Sequence, residues 1–340
     1  VNAVVLVGGF GTRLRPLTLH TPKQMLPIVD RPMIEWVVGH LGRHGIDRAV
    51  LALGYRSDDF ASAYPAGRCA GVELHYAVEN APLDTAGAIR FAANVAGIRD
   101  RFVVMNGDVL TDLDITALVD FHDRAGAEAT ISLHEVADPS RYGVVATDPD
   151  GRVTAFVEKP AAETAPSNFI NAGTYVLEPS VLDRIDADRR VSIERETFPA
   201  IVRDRSLFAV PDGGVYWLDT GTPEDYLYAQ LDVIAGRRVL PAGTPITAID
   251  PTAVVAPTAM VRSSVIGPGV RVDEHAEVIG SAVQRGAVIG SKARVLDSLV
   301  GAGARIGECA TLEALCVVGD GETVEPGVDL LGARVPANDP

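Results

Sequence analysis

An α/β protein with a second, repetitive domain is predicted from three features of this 340-residue sequence. The apolar run Val4–Val7 is short, β-branched and cut off by Gly8-Gly9, the pattern of a buried parallel strand that ends in a glycine loop. Strand-like and helix-like segments then alternate to about Gly236, as in a Rossmann-like, mixed and mostly parallel sheet with flanking helices. From Ile266 onward aliphatic residues recur six apart, the period of a parallel β-helix.

Taken in order, Pro32 to His44 places Ile34, Val37, Val38 and Leu41 at helical spacing, with Pro32 near the start and Gly45 past the end. Ala49–Leu53 is a second short strand, which completes a βαβ unit. Its crossover is right-handed and its ligands belong at the carboxyl ends of the strands. A strand over Val72–Glu79, a helix over Thr85–Ala96 and a strand over Phe102–Met105 follow, the last running into Asn106-Gly107-Asp108. Ala129–Glu135 is another strand, and Val144–Ala146 with Val153–Val157 flank Pro149-Asp150-Gly151 as a hairpin. Helical segments are expected around Ser180–Ile185 and Ile193–Arg203. Thr222 suits an N-cap, Pro223 the first helical position and Asp225 the first turn, so a further helix runs to about Gly236.

Composition narrows the classes of function. Hydrophobic residues make up 47%, charged residues 22% and mean hydropathy is +0.17, the profile of a soluble globular protein with no apolar run approaching a membrane span. No signal peptide precedes the first strand, so a cytoplasmic location is expected. A net charge of −15 argues against a general nucleic-acid surface. Cys69, Cys309 and Cys316 show no CxxC pair, and the histidines form neither HxH nor HExxH, so free thiols and no zinc site are expected.

The positive charge that exists is local. Gly8, Gly9 and Gly11 let backbone N–H groups approach a ligand, and Arg13, Arg15 and Lys23 add cations just behind them, a combination that suits a polyphosphate. The spacing is neither GxxxxGK[ST] nor the dinucleotide fingerprint, and GGxG alone would read as a turn beside surface cations. The full string GGFGTRLRPLTLHTPKQMLP resembles the signature of the sugar-1-phosphate nucleotidyltransferases, which join a nucleoside triphosphate to a sugar 1-phosphate and release pyrophosphate.

That resemblance covers essentially the whole chain. It implies that Asp108, at the strand-end GD, and Asp219, in WLDTGTPED, hold Mg²⁺; a turn aspartate and a helix-capping aspartate are the structural alternatives. Arg13 and Lys23 would act on the triphosphate, with Asp108 and Asp219 the other catalytic residues. The implied nucleotide site comprises Leu6, Gly8, Gly9, Gly11, Thr12, Arg13, Gln24, Glu79, Pro82, Asp84, Thr85, Ala86 and Gly107. The implied sugar-phosphate site comprises Tyr142, Gly143, Glu158 and Lys159 of FVEKP, and Asn171, Ala172 and Gly173 of FINAGTY. An exposed Glu-Lys couple and a turn asparagine are the plainer readings of the last two strings.

The base is read from Glu79-Asn80-Ala81-Pro82-Leu83-Asp84-Thr85-Ala86-Gly87. This run is similar to the base-reading loop of the guanosine-diphosphate-mannose pyrophosphorylase branch, in which an acidic residue precedes PLGTAG. A carboxylate offers acceptors to the N1–H and N2–H donors of guanine, so GTP with mannose 1-phosphate is expected. Ser192-Ile193-Glu194-Arg195-Glu196 points the same way. Gln24 points instead to thymidylyl relatives, and Asp84 stands where the loop's usual glycine would be.

In the C-terminal part the ladder runs Ile266, Val272, Val278, then Val283, Ile289, Val295, then Val300, Ile306, Leu312. Five-residue steps at Val278–Val283 and Val295–Val300 suggest tightened corners. The resemblance implies the left-handed form of the β-helix. The expected domains are therefore 1–236, catalytic; 237–250, a linker; and 251–340, a hexapeptide-repeat β-helix. A homo-oligomer is expected. The other readings are a glucose-1-phosphate thymidylyl-, uridylyl- or adenylyltransferase, a regulatory paralogue, and an acyltransferase, for which only His275 is available on the β-helix.

Overall fold

The computed structural model of the chain describes residues 2–54, 57–187, 189–240 and 245–337. Its contacts group it into two compact bodies, residues 1–9 with 34–217 and residues 10–33 with 218–340. Among the described residues no helix is long and apolar enough to cross a membrane.

The first body is built on a mixed sheet with parallel strands at its centre. Asn2–Leu6 is hydrogen-bonded in parallel to Arg48–Leu53 on one side and to Phe102–Asn106 on the other. Val72–Val78 continues the parallel set beyond Arg48–Leu53. Phe169–Leu177 runs antiparallel to Phe102–Asn106 and carries the hairpin of Gly143–Thr147 and Val153–Glu158 at its other end. Strands buried on both faces need aliphatics throughout, and Val4, Val50 and Val104 have no exposure, packing with Ile89, Ala92 and Ala93 of helix Asp84–Val95.

One expected helix is divided. Ile193–Arg203 forms a π-helical turn, Ile193–Thr197, followed by an α-helix, Phe198–Arg203. Pro199 has no N–H and its ring clashes with a preceding carbonyl, so the α-helix has to start afresh beside it. Helix Pro223–Ile234 begins as expected, with the Thr222 hydroxyl accepting from Asp225 N–H at 3.2 Å.

In the second body, residues 254–335 stack short parallel strands in three five-stranded sheets, the architecture of a left-handed parallel β-helix. Ile266, Val283, Val300 and Val318 form one interior column; Val272, Ile289, Ile306 and Val324 form the second; and Val278, Val295 and Leu312 belong to the third. The five-residue steps are corners, and a buried polar ladder explains them. The Ser264 and Ser281 hydroxyls donate within their own corners to the Arg262 and Ile279 carbonyls at 2.8 Å, and lie 3.2 and 3.1 Å from the mid-strand carbonyls of Val278 and Val295 in the following coil. Each hydroxyl of Ser264, Ser281 and Ser298 also accepts the N–H of the residue stacked on it, Ser281, Ser298 and Cys316. Corner N–H groups that would otherwise be buried without partners are satisfied in this way. Parallel pairing begins as early as Ile249, which bridges to Ile266, while residues 241–244 of the expected linker lie outside the described residues.

Candidate active site

Arg13, Lys23 and Asp219 come together within the second body. Gly11, at φ 58°, turns the chain into a 3₁₀ turn, Thr12–Leu14, whose Leu14 N–H bonds to the Gly11 carbonyl at 2.9 Å; the Thr18 hydroxyl donates to the same oxygen at 2.8 Å. A second 3₁₀ turn, Lys23–Met25, carries Lys23, which is 6% exposed, to 3.9 Å from Asp219 Oδ1. The Arg13 guanidinium lies on Gly221: a Cβ there would sit 2.6 Å from Arg13 Nη2 and 2.9 Å from Asp219 Oδ1. A buried cation, a second cation and a carboxylate thus share one corner, with Thr12 and Arg13 exposed at its rim. Gln24 is buried, and among the described residues its Oε1 has no hydrogen-bond partner.

The loop that follows is fastened to helix Pro223–Ile234. Gln230 Nε2 donates to the Pro27 carbonyl at 2.6 Å, Val29 N–H donates to Gln230 Oε1 at 2.6 Å, and the Tyr226 hydroxyl donates to the same Pro27 carbonyl. Both side chains are buried, so these bonds are shielded from water.

The remaining predicted residues belong to the first body. Gly107 N–H bonds to the Leu6 carbonyl at 2.8 Å, and a Cβ on Gly107 would lie 2.8 Å from that oxygen. Asp108 follows at the carboxyl end of the central strands, half-buried, near the exposed Gly8 and Gly9 end of the first strand.

Glu79 follows strand Val72–Val78, and its Oε2 accepts Leu83 N–H at 3.0 Å, so the carboxylate folds its own loop. Burial pushes its pKa up while the Leu83 bond pulls it down, with burial the larger effect. Pro82 is exposed. Asp84 adopts φ 63°, the left-handed conformation that a glycine would take without strain, and its Oδ1 accepts Thr85 N–H at 2.8 Å. The Thr85 hydroxyl donates to Glu194 Oε2 at 2.8 Å and accepts Ile193 N–H, and Ala86 N–H bonds to the Val191 carbonyl at 2.9 Å. Thr85 and Ala86 therefore hold the loop of residues 79–87 against residues 191–194.

At the hairpin, Gly143 pairs with Glu158, and Lys159 N–H bonds to the Tyr142 carbonyl at 2.9 Å. Lys159 Nζ stands 3.7 Å from Glu158 Oε1 with most of its side chain in solvent. Burial raises the Glu158 pKa, and the neighbouring Glu194 charge adds to the effect. Asn171 sits at a register shift rather than a chain reversal: its Nδ2 donates to the Tyr175 hydroxyl at 2.9 Å and its Oδ1 accepts Gly173 N–H at 3.1 Å. The Ala172 carbonyl accepts from Trp217 Nε1 at 2.9 Å.

Two residues that the sequence reading did not name as site residues, Trp217 and Glu194, contact residues that it did. Trp217 meets Tyr142 edge-on at 5.8 Å and stacks on His134 at 5.0 Å, whose Nδ1 lies 2.6 Å from Asp212 Oδ2. Glu194 bonds to Thr85 and Ser192 and acts electrostatically on Glu158 and the buried Tyr175. Both stood in strings that the sequence singles out, WLDTGTPED and SIERE, but neither type is diagnostic without its partner. Among the described residues no group of three or more His, Cys, Asp or Glu could hold a metal ion.

The class of the protein, enzymes that transfer a nucleotidyl group, follows from the family comparison. The nucleotidyl transferase family model matches residues 2–236, and the chain belongs to that family. The model of the GMPPB C-terminal domain matches residues 244–339. Among curated relatives, mannose-1-phosphate guanylyltransferase of Mycobacterium tuberculosis is 40% identical over 300 residues, 84% of this chain and 82% of that protein. Mannose-1-phosphate guanyltransferase of Emericella nidulans is 45% identical over 231 residues, 67% of this chain and 62% of that protein. Among solved structures, HddC from Yersinia pseudotuberculosis complexed with GMP-PN has a TM-score of 0.58 at 29% identity, covering 68% of this chain and 99% of that one. A putative glucose-1-phosphate thymidylyltransferase from Bacillus anthracis has a TM-score of 0.62 at 25% identity, covering 72% of this chain and 97% of that one.

Proposed function

We propose that this chain transfers a guanylyl group from GTP to mannose 1-phosphate, giving GDP-mannose and pyrophosphate. The observation that carries the reading is the meeting of Arg13, Lys23 and Asp219 on a loop with the family signature, in a chain whose relatives named above act on mannose 1-phosphate. A phosphate oxygen of the sugar 1-phosphate bonds to the α-phosphorus while the bond to the bridging oxygen breaks, and pyrophosphate leaves. Such a step asks little of the protein beyond position and charge.

In this reading Gly9 and Gly11 present backbone N–H groups to phosphates, Arg13 holds the triphosphate and Lys23 the oxygens of the reacting phosphorus. Glu79 Oε1 accepts from the guanine edge while Oε2 keeps the loop folded. Lys159 holds the phosphate of the sugar, and Glu158, Asn171 and the backbone of Ala172 and Gly173 face its hydroxyls. Asp108 and Asp219 are the proposed carboxylates for Mg²⁺. Carboxylate oxygens are the hard ligands that such an ion takes. The ion, when bound, neutralises charge that develops on the phosphates. The assembly is proposed to be a cytoplasmic homo-oligomer.

Incubating the full chain with GTP, mannose 1-phosphate and MgCl₂ should yield GDP-mannose and pyrophosphate in equal amounts. Product from dTTP and glucose 1-phosphate, with none from the guanylyl pair, would defeat the reading.

A further inference from the structure

The phosphate loop does not share a body with the sheet strand that delivers it. Residues 10–33 group with 218–340, and the last coil of the β-helix reaches them directly. Arg334, on the final short strand Arg334–Val335, donates through Nη1 to the carbonyl of Arg15, two residues past Arg13. Beside it Gly319 is pressed on the loop: a Cβ there would lie 3.1 Å from Pro16 Cβ and 3.2 Å from the Val335 carbonyl. A second connection runs from Gln284 Nε2 to the Tyr226 hydroxyl at 3.4 Å, and from Tyr226 to the Pro27 carbonyl.

We propose that the last β-helix coil is part of the nucleotidyl-transfer machinery, with Arg334 a positioning residue that holds the Arg13 turn through the Arg15 carbonyl. The inference rests on reading residues 9–23 as the triphosphate loop. Arg334 is only partly exposed, burial lowers its pKa, and among the described residues it meets no carboxylate. Withdrawing a guanidinium from water without a counter-charge is unfavourable, and the positions stacked in register beneath it, Val265, Ala282, Leu299 and Val317, are all apolar and buried. What Arg334 supplies that an apolar residue cannot is a directed, charge-assisted hydrogen bond to one carbonyl of the loop. A loop that is glycine-rich at its start and ordered by two isolated 3₁₀ turns needs such an external fixture, because those turns supply few bonds of their own. The β-helix is therefore more than an assembly module. It fixes one end of the site that its own sequence never enters.

The test compares full-length wild type with Arg334→Met, Arg334→Lys and, as a control on the same domain, the exposed Arg305→Met. Turnover and KM for each substrate are measured per folded molecule, with thermal melts run alongside. Misplacing a catalytic loop by a fraction of an ångström is expected to lower kcat about tenfold in Arg334→Met and to raise the KM for the triphosphate, while the KM for the sugar phosphate stays within about twofold. Arg334→Lys should recover part of kcat, and Arg305→Met should match wild type. Gly319→Ala, which pushes on both Pro16 and the Val335 carbonyl beside Arg334, should also lower kcat. Turnover of Arg334→Met within twofold of wild type, or a loss that follows only the unfolded fraction, overturns the proposal. Should wild type prefer another triphosphate, the substrate reading fails, and the ratio of variant to wild type with that triphosphate still tests the loop.

Discussion

Glu158 is half-buried with the charge of Glu194 nearby, so its carboxyl releases a proton less readily than the ordinary value of 4.5 implies. A raised carboxyl pKa means that the acceptor form is lost sooner as the pH falls. The KM for the sugar phosphate should therefore climb on the acidic side at a pH above the ordinary glutamate range, and Glu158→Gln should flatten that limb while raising the KM at neutral pH. An unchanged limb in Glu158→Gln would remove Glu158 from the sugar site. For the base, Glu79→Gln can keep the Leu83 bond through its amide oxygen but exchanges the other acceptor for a donor. Its kcat/KM should move towards UTP and dTTP, read from paired assays, whereas loss for all triphosphates alike would mark Glu79 as a loop-folding residue only. Asp108→Asn and Asp219→Asn should each lower turnover by at least ~10²-fold with folding intact. Residue identities at these positions were legible in the sequence because charge is chemical. Partners were not: Thr85 meets Glu194 across 109 positions, and nothing local in either string announces the other.

Elements were legible where a single face repeats. Helix Pro223–Ile234 showed its cap and its proline, and the aliphatic ladder showed the β-helix, since one buried side chain per step leaves a period that polar neighbours do not blur. The serine ladder left no such mark, because small polar residues at a corner read as solvent-facing until the next coil stacks on them. Ile289 has no exposure, so Ile289→Asp should unfold this domain, whereas Arg294→Ala should cost no more than its surface pairs with Glu277 and Glu313, about 1 kcal/mol. Melts that fall equally for both would show the register to be wrong. In the base loop, Asp84→Gly should be tolerated at φ 63° and Asp84→Val should not, as read by triphosphate KM.

At the scale of the whole molecule, chain order and contact order part company. The string Gly8–Pro27 reads as one motif, yet its first two glycines belong to one body and its cations to the other. The bonds that decide this join Val29 to Gln230 and Arg15 to Arg334, separations of 201 and 319 residues that no periodicity records. Charge at this scale is also uninformative, since a net −15 conceals the corner where Arg13 and Lys23 meet. The central claim, guanylyl transfer to mannose 1-phosphate, is tested most directly by competition in one vessel. The purified full chain is given equimolar GTP and dTTP with equimolar mannose 1-phosphate and glucose 1-phosphate, and the nucleotide sugars formed at early times are separated and weighed against one another. The account predicts GDP-mannose in excess over every other product by at least ~10²-fold, within the ~10⁴-fold or more that a site built to pair polar edges attains. A mixture led by dTDP-glucose would contradict it.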